Sequence, residues 1–495
     1  MQSHEPQVAL DIRQRELLHA KDLSKSGDFE GAYDIVYKWL DADPNDSTAL
    51  NLLGYIMLNT EKPAVAYPIL KQVTQLEPDN ALGWLNMGMA CSDLWRYTEA
   101  KRAYKKGIKY ALSDEERSML CVNMASCMVD HGDFAGAEPY CHEAIKLNPD
   151  TQKGKANLGF CQLAQRNWSE GWKNYRHCID TISRPLIQYN NEPLWDGEKG
   201  RICVYTEQGL GDEISFAQML PQMKQWCDEN DSSLVVDVNP RLLNLFQRSF
   251  PDIEIHGTRG QRQITWDPRD IEYSIPIAQL GEYFRTSDDD FTGEPYLVPD
   301  PDRVAMWKAL FESKGKPVIG LGWRSGVRKT AAKYRQVDLD TLQPFLQSID
   351  AHWVSLQYKP AGKEIDAFKA DHPDIDIIEY PYGTLSNDYD DCVAMIAAMD
   401  RVVALQTTAI HVAGALGVPC DVLVPSTSQW RYGQGTEDFI WAKSVRIVRQ
   451  TIRGEWDDVI ARLAKESKSG INEKVSRKPA HKANGSRAVL GESRL

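Results

Sequence analysis

Through the first third of the chain, apolar residues recur three and four apart with polar residues on the opposite face, which predicts amphipathic helices. The pattern itself returns at a fixed interval. Ala32, Ala66 and Ala100 are each 34 residues apart, Ala137 follows after an insertion near Ser113 to Ser118, and Gly171 comes 34 later. Pro44 and Pro78 lie one period apart, and Pro149 falls at the same point of its own unit, just after the second helix. Within the units, Leu53-Gly54, Met87-Gly88, Met124-Ala125 and Leu158-Gly159 set a large residue beside a small one, and Leu70, Tyr104 or Tyr175 follows farther on. Small residues let one helix approach its partner closely and large ones fill the gap between them. Five stacked helix pairs are expected.

The period disappears after Ser183-Arg184-Pro185, and at Trp195-Asp196-Gly197 the pattern changes. Short apolar runs then alternate with helical stretches: strands at Arg201 to Thr206 and Ser233 to Val238, helices at Ile214 to Trp226 and Pro240 to Phe250. The alternation restarts after the Pro-rich stretch Glu294 to Pro301, with strands at Pro317 to Trp323, Trp353 to Leu356, Ile375 to Ile378, Val402 to Leu405 and Asp421 to Val424. Strands alternating with helices predict parallel α/β sheets, and two such halves predict a cleft. The expected organisation is an α-solenoid over 1–182, a linker over 183–200, one α/β half over 201–300, a second α/β half over 301–466, and a disordered basic tail over 467–495.

Composition narrows the classes. At 42% hydrophobic and 26% charged, the 495 residues have globular proportions. A net charge of −13 argues against nucleic acid as a partner. No basic stretch leads into an apolar core at the N-terminus and no apolar run is long enough to cross a bilayer, so a cytoplasmic protein without a membrane span is expected. The ten cysteines are scattered singly, without Cys-x-x-Cys pairs, and read as reduced, buried thiols; Cys91, Cys121, Cys141 and Cys178 occupy repeat positions that want a core residue.

Three stretches carry candidate chemistry. Tyr205 to Glu213 (YTEQGLGDE) reads as a strand, a glycine turn at Gly209 and Gly211, and a helix start at Asp212. The glycines let a ligand approach the backbone; Asp212 is either a helix cap or a carboxylate at a strand end, where α/β proteins bind ligands. Gly-x-Gly-x-x-Gly is not completed, and no Gly-Lys-Ser/Thr follows. Gly320 to Gly326 (GLGWRSG), followed by Arg328, Lys329, Lys333 and Arg335, is a strand feeding a cationic loop suited to a diphosphate, with Arg324 best placed. Gln357 follows the next strand and is either within reach of the same cleft or a surface amide. In Val402 to Pro419, a strand ends at Leu405, Thr407 or Thr408 caps a helix, and His411 lies one turn in on the same face. Free N–H groups and threonine hydroxyls there make an anion site.

These residues carry two resemblances. From about Arg13 to about Asp180 the chain resembles the tetratricopeptide repeats. Gly211-Asp212 with Pro221, the loop around Trp323-Arg324, the segment Asp390-Asp391 to Asp400 and Thr407 to Pro419 resemble the heptosyltransferase-like glycosyltransferases, family nine, over roughly Arg201 to Arg462. The run Trp430-Arg431-Tyr432-Gly433 to Val448-Arg449-Gln450 looks like the bacterial subfamily that joins such a unit to tetratricopeptide repeats.

The resemblance implies a GT-B fold of two Rossmann-like domains, no catalytic metal, and no cofactor beyond a nucleotide diphosphate sugar as donor substrate. It further implies Asp212 as general base and Arg324, with Lys333 and Arg335, as donor-phosphate ligands. Gln406, Thr407 and His411 fall on the donor-holding motif, and Gln406 stands where the family has Asp. An amide carries no charge and is no acid, so hydrogen bonding is the role left to it. The expected function is transfer of a sugar to an acceptor hydroxyl, on the Ser or Thr of a protein recruited by the repeats. Two other readings stay open: a non-catalytic repeat scaffold with a degenerate transferase domain, and a polysaccharide or lipid-glycan transferase.

Overall fold

The computed structural model describes residues 5–181, 184–325 and 335–468. Ten helices form five antiparallel pairs: α1 Glu5–Ser26 with α2 Phe29–Ala42, α3 Ser47–Asn59 with α4 Pro63–Leu76, α5 Ala81–Asp93 with α6 Tyr97–Tyr110, α7 Asp114–Asp130 with α8 Phe134–Leu147, and α9 Gln152–Ala164 with α10 Trp168–Tyr175. Side chains of Asp46, Asn80, Ser113 and Thr151 each accept from a backbone N–H in the first turn of α3, α5, α7 and α9, so most first helices of the pairs start at a polar cap. The predicted insertion is an added turn, since α7 has 17 residues where α5 and α9 have 13.

The periodic small residues do the work read from their spacing. Ala32, Ala66, Ala100 and Ala137 are fully buried. A Cβ on Gly88 would sit 2.5 Å from Cε1 of Tyr104, and one on Gly159 would sit 2.5 Å from the backbone N of Tyr175. The large residue of the second helix occupies the space that the small residue of the first leaves open.

The chain divides into two compact units, Met1–Gly293 with Val424–Trp441, and Glu294–Leu423 with Ala442–Leu495. In the first, the repeats run directly into a four-stranded sheet of β1 Arg201–Tyr205, β2 Ser233–Asp237, β3 Glu254–His256 and β4 Tyr273–Pro276, ordered β3-β2-β1-β4 with parallel pairings. Two of these strands, β3 and β4, are too short to carry a readable alternation. The helix expected at Ile214 to Trp226 is two helices, Leu210–Ala217 and Leu220–Glu229, because Pro221 is tolerated only in a first turn.

The stretch expected to be a linker is packed instead. Arg184, Glu192 and Trp195 are buried, and Leu194 bridges to Ser274 beside the sheet. Trp172 of α10 is fully buried, donates from Nε1 to the Arg285 carbonyl at 2.9 Å, and meets Trp430 edge-on with ring centroids 5.5 Å apart. The last repeat is thus part of the core of this unit.

The second unit holds β5 Val318–Gly322, β6 His352–Ser355, β7 Ile377–Ile378, β8 Arg401–Leu405, β9 Cys420–Val424 and β10 Val445–Arg449, in the order β10-β9-β8-β5-β6-β7. Pairings from β7 through β9 are parallel. Counted from its first strand the order is 3-2-1-4-5-6, that of dinucleotide-binding sheets, and it reverses between β5 and β8. Trp323, Phe345, Trp353, Trp456 and Leu463 lie in the core beneath. The final helix, Asp457–Lys468, runs past the expected start of the tail, and the rest of that tail, 469–495, lies outside the described residues. Among the described residues no helix is long and apolar enough to cross a membrane.

Candidate functional site

In the first unit, the loop leaving β1 and the first turn of the helix after it carry three acidic side chains, and each meets an arginine from a different segment. Glu207 takes Arg184 through both its oxygens, with N···O distances of 2.9–3.0 Å. Both are buried, and the guanidinium lies 4.1 Å over the Tyr175 ring while donating to the Tyr175 carbonyl at 3.1 Å. Glu213, fully buried, accepts from Arg259 (2.6 Å), the Thr206 hydroxyl (2.6 Å) and the Asn239 N–H (3.0 Å). Burial pushes the Glu213 carboxyl up; Arg259 and the Thr206 hydroxyl offset that only in part. Asp212 pairs with Arg431.

Gly209 is the cap of the helix Leu210–Ala217, and its N–H donates to Asp212 Oδ2 at 3.1 Å while its carbonyl accepts from the Asp212 N–H at 2.9 Å. Gly211 is buried in the first turn. The N-cap position itself thus falls on Gly209, and Asp212, three residues on, closes the first turn back onto it with 28% of its side chain exposed. Preceding it, Gln208 adopts φ 63°, a left-handed conformation uncommon for a non-glycine residue. Glu213 and Arg431 were not singled out from sequence. Arg431 stood in the quoted run Trp430 to Gly433, where an arginine between two aromatics was its one signal.

In the second unit, three adjacent strands β6, β5 and β8 deliver Gln357, Arg324 and Gln406 at their carboxyl ends. Arg324 is partly exposed and paired with Glu364 at 2.7 Å, and the other Glu364 oxygen accepts from Trp323 Nε1 at 2.8 Å. Gln357 is buried, and with its amide turned so that donors meet acceptors, its oxygen accepts from the backbone N–H of Trp323 at 2.8 Å and of Arg324 at 3.2 Å. It holds the Arg324 backbone in place. Arg335 comes back beside this strand end, since the Ser325 N–H donates to the Arg335 carbonyl at 3.0 Å and Arg324 bridges to Gln336. The Arg335 guanidinium donates to the Gln406 carbonyl at 3.2 Å, and the Ser325 hydroxyl donates to the same carbonyl. Lys333, like Arg328 and Lys329, lies outside the described residues.

The Gln406 side chain is buried, and among the described residues neither of its amide atoms has a partner, nor does the buried Thr407 hydroxyl beside it. Buried polar groups are nearly always hydrogen-bonded, and an orphaned amide and hydroxyl mark a place where a water or ligand belongs. Thr407 caps and Thr408 opens the helix Thr408–Leu416, with His411 one turn in and Gly417 closing it at φ 76°. Arg324, Arg335, Gln357, Gln406 and Thr407 thus gather where the strand order reverses, the point at which open α/β sheets bind ligands. Gly209, Gly211 and Asp212 belong to the other unit. Ser325, missed from sequence, is tied to the cluster by its hydroxyl.

Comparison with known proteins accords with the repeats. The tetratricopeptide repeat family model matches residues 81–114, which hold α5 and α6. With the five pairs described above, the chain carries tetratricopeptide repeats. Protein FlbA of Caulobacter vibrioides is 28% identical over 495 aligned positions, covering 89% of this chain and 81% of FlbA. The mouse protein O-mannosyl-transferase TMTC3 is 22% identical over 192 positions, covering 36% of this chain; the chain spans only 20% of that protein. The solved structure of PilF from Pseudomonas aeruginosa is 15% identical and superposes with a TM-score of 0.34 over 49% of this chain and 93% of that one.

Proposed function

We propose that this protein is a GT-B glycosyltransferase that moves a sugar from a nucleotide diphosphate sugar to a hydroxyl of a protein engaged by the repeats. The observation that carries the reading is the cluster at the switch point of the 3-2-1-4-5-6 sheet: two arginines, a helix start, and an orphaned buried amide and hydroxyl. Such a set complements a diphosphate and the hydroxyls attached to it. The resemblance of the flanking motifs to family nine supports the same assignment. In the reaction, the bond from the anomeric carbon to the diphosphate oxygen breaks and the bond to the acceptor oxygen forms. The acceptor proton passes to Asp212, and the leaving diphosphate is stabilised by the Thr408 helix start and the arginines. A protein acceptor is supported by the presence of repeats and α/β units in one chain and by the partial similarity to the mouse protein O-mannosyl-transferase TMTC3.

A panel of nucleotide sugars, read by thermal shift and then by transfer of labelled sugar to cell protein, tests the reading. One donor raises the melting temperature by mass action and labels a protein band. No stabilisation by any nucleotide or nucleotide sugar would refute it. A second reading, a scaffold with a degenerate transferase, is favoured by Gln406 in place of Asp; it requires donor binding without turnover.

A further inference from the structure

We infer that Arg431 is a positioning residue for the Asp212 carboxylate, and that the fourth and fifth repeats hold it there. The inference deepens the reading of Asp212 as general base and rests on it for its catalytic meaning.

Asp212 and Arg431 are far apart in sequence, yet both belong to the first unit. Arg431 sits in the single turn Trp430–Tyr432 and exposes 5% of its side chain, whereas Asp212 exposes 28%. A pair that served packing alone would bury both charges. Here the cation is buried behind a carboxylate that stays open to solvent. One Asp212 oxygen is fixed by the Gly209 N–H and the other by the guanidinium, so the carboxylate is oriented as well as neutralised.

Arg431 is in turn braced by the repeats. Its guanidinium lies 4.7 Å over the Phe216 ring and 5.6 Å over Trp430. Trp430 meets Trp172 at 5.5 Å and Tyr175 at 5.8 Å, both on α10. From the same returning segment, Gln434 Nε2 donates to the Gly132 carbonyl at 2.8 Å in the turn between α7 and α8. A Cβ on Gly132 would lie 3.3 Å from the Thr427 Cα, so the two backbones are in close contact. The chain of contacts runs from repeat to tryptophan to arginine to carboxylate.

The charges around Asp212 make the cation consequential. Glu213 is the next residue, with Arg259 against it; Glu207 lies on the same loop, with Arg184 against it; Tyr175 and Tyr432 face Arg431. Among the described residues, each of these three carboxylates has a guanidinium against it. Removing Arg431 takes away a cation that favours the ionised form of Asp212, which then binds its proton at higher pH.

The test uses the full chain and no ligand. Aspartate carboxyls are labelled with 13C and titrated by NMR, and Asp212→Asn identifies the resonance. In Arg431→Gln the Asp212 midpoint is expected to rise by roughly one pH unit or more. Trp430→Leu, which loosens the brace from α10, is expected to move it the same way by less. Arg431→Lys keeps the buried cation and covers the case in which the glutamine variant does not fold; its single, shorter donor gives an intermediate shift. An Asp212 midpoint unchanged in the lysine and tryptophan variants overturns the inference. Failure of the base reading is a separate result: Asp212→Asn transferring sugar at the wild-type rate would show it, whatever the titration gives.

Discussion

Arg184→Met is the perturbation most sharply constrained by the structure. The side chain is 2% exposed and its partner Glu207 is fully buried, so the substitution removes two-point contact from a carboxylate that water does not reach. It also removes the stacking on Tyr175 and the bond to the Tyr175 carbonyl. Breaking a buried pair from one side costs about 3–5 kcal/mol, mostly the penalty of the stranded charge. Replacing both partners, as Arg184→Met with Glu207→Leu, leaves no stranded charge and is expected to lie within about 2 kcal/mol of the wild type, a coupling of at least ~2 kcal/mol. Urea unfolding of the full chain, followed by tryptophan fluorescence, reads both units, since each has buried tryptophans, and the variant shifts the transition of the unit that contains Trp172 and Trp430. A single variant within about 1 kcal/mol of wild type, or additive effects in the double variant, would refute the account. The result matters beyond stability, because this pair ties the β1 loop to the last repeat helix.

Other outcomes follow from single sites. Gly54→Ala is expected to destabilise by about 1–2 kcal/mol in denaturant titration, because its Cβ would lie 2.6 Å from the buried Leu70 Cγ; overpacking outweighs the helix propensity gained. All ten cysteines are buried, and burial pushes Cys91 up to about 12, so Ellman's reagent at pH 8 should find no fast-reacting thiol in the native protein and ten after denaturation. Arg324→Ala should weaken the donor by about tenfold in calorimetry; the contact is half-exposed and shared with Glu364, which limits the loss. Affinity equal to wild type would remove Arg324 from the site.

The repeats were legible because their signal is local and recurs. Period, residue size and the helix-breaking prolines agree at each unit, and the structure places Gly54 against Leu70 and Gly88 against Tyr104 as that agreement requires. The alternation of strand and helix was legible for the same reason wherever a strand was buried on both faces, as in β5 and β8. Strands of three or four residues, β3 and β4, offer too few positions for any period, and the connector 184–200 resembles a linker because only Arg184, Glu192 and Trp195 of it are buried, Arg184 and Trp195 against partners distant in the chain.

What the sequence determined by itself is therefore the set of local elements and the residue types at strand ends: Asp212 after β1, Arg324 after β5, Gln406 and Thr407 after β8. Helix and strand periodicity and capping act over a few residues, and those residues are written consecutively. Tertiary structure alone decided strand order, and with it that the ends of β5, β6 and β8 lie side by side in the second unit. It decided too that the Gln406 amide and the Thr407 hydroxyl are buried with no partner among the described residues, and that Glu207, Asp212 and Glu213 each meet a particular arginine. Charge pairing across such distances leaves no periodic trace, because burial by many unrelated segments, rather than any local preference, is what makes a buried carboxylate require its cation.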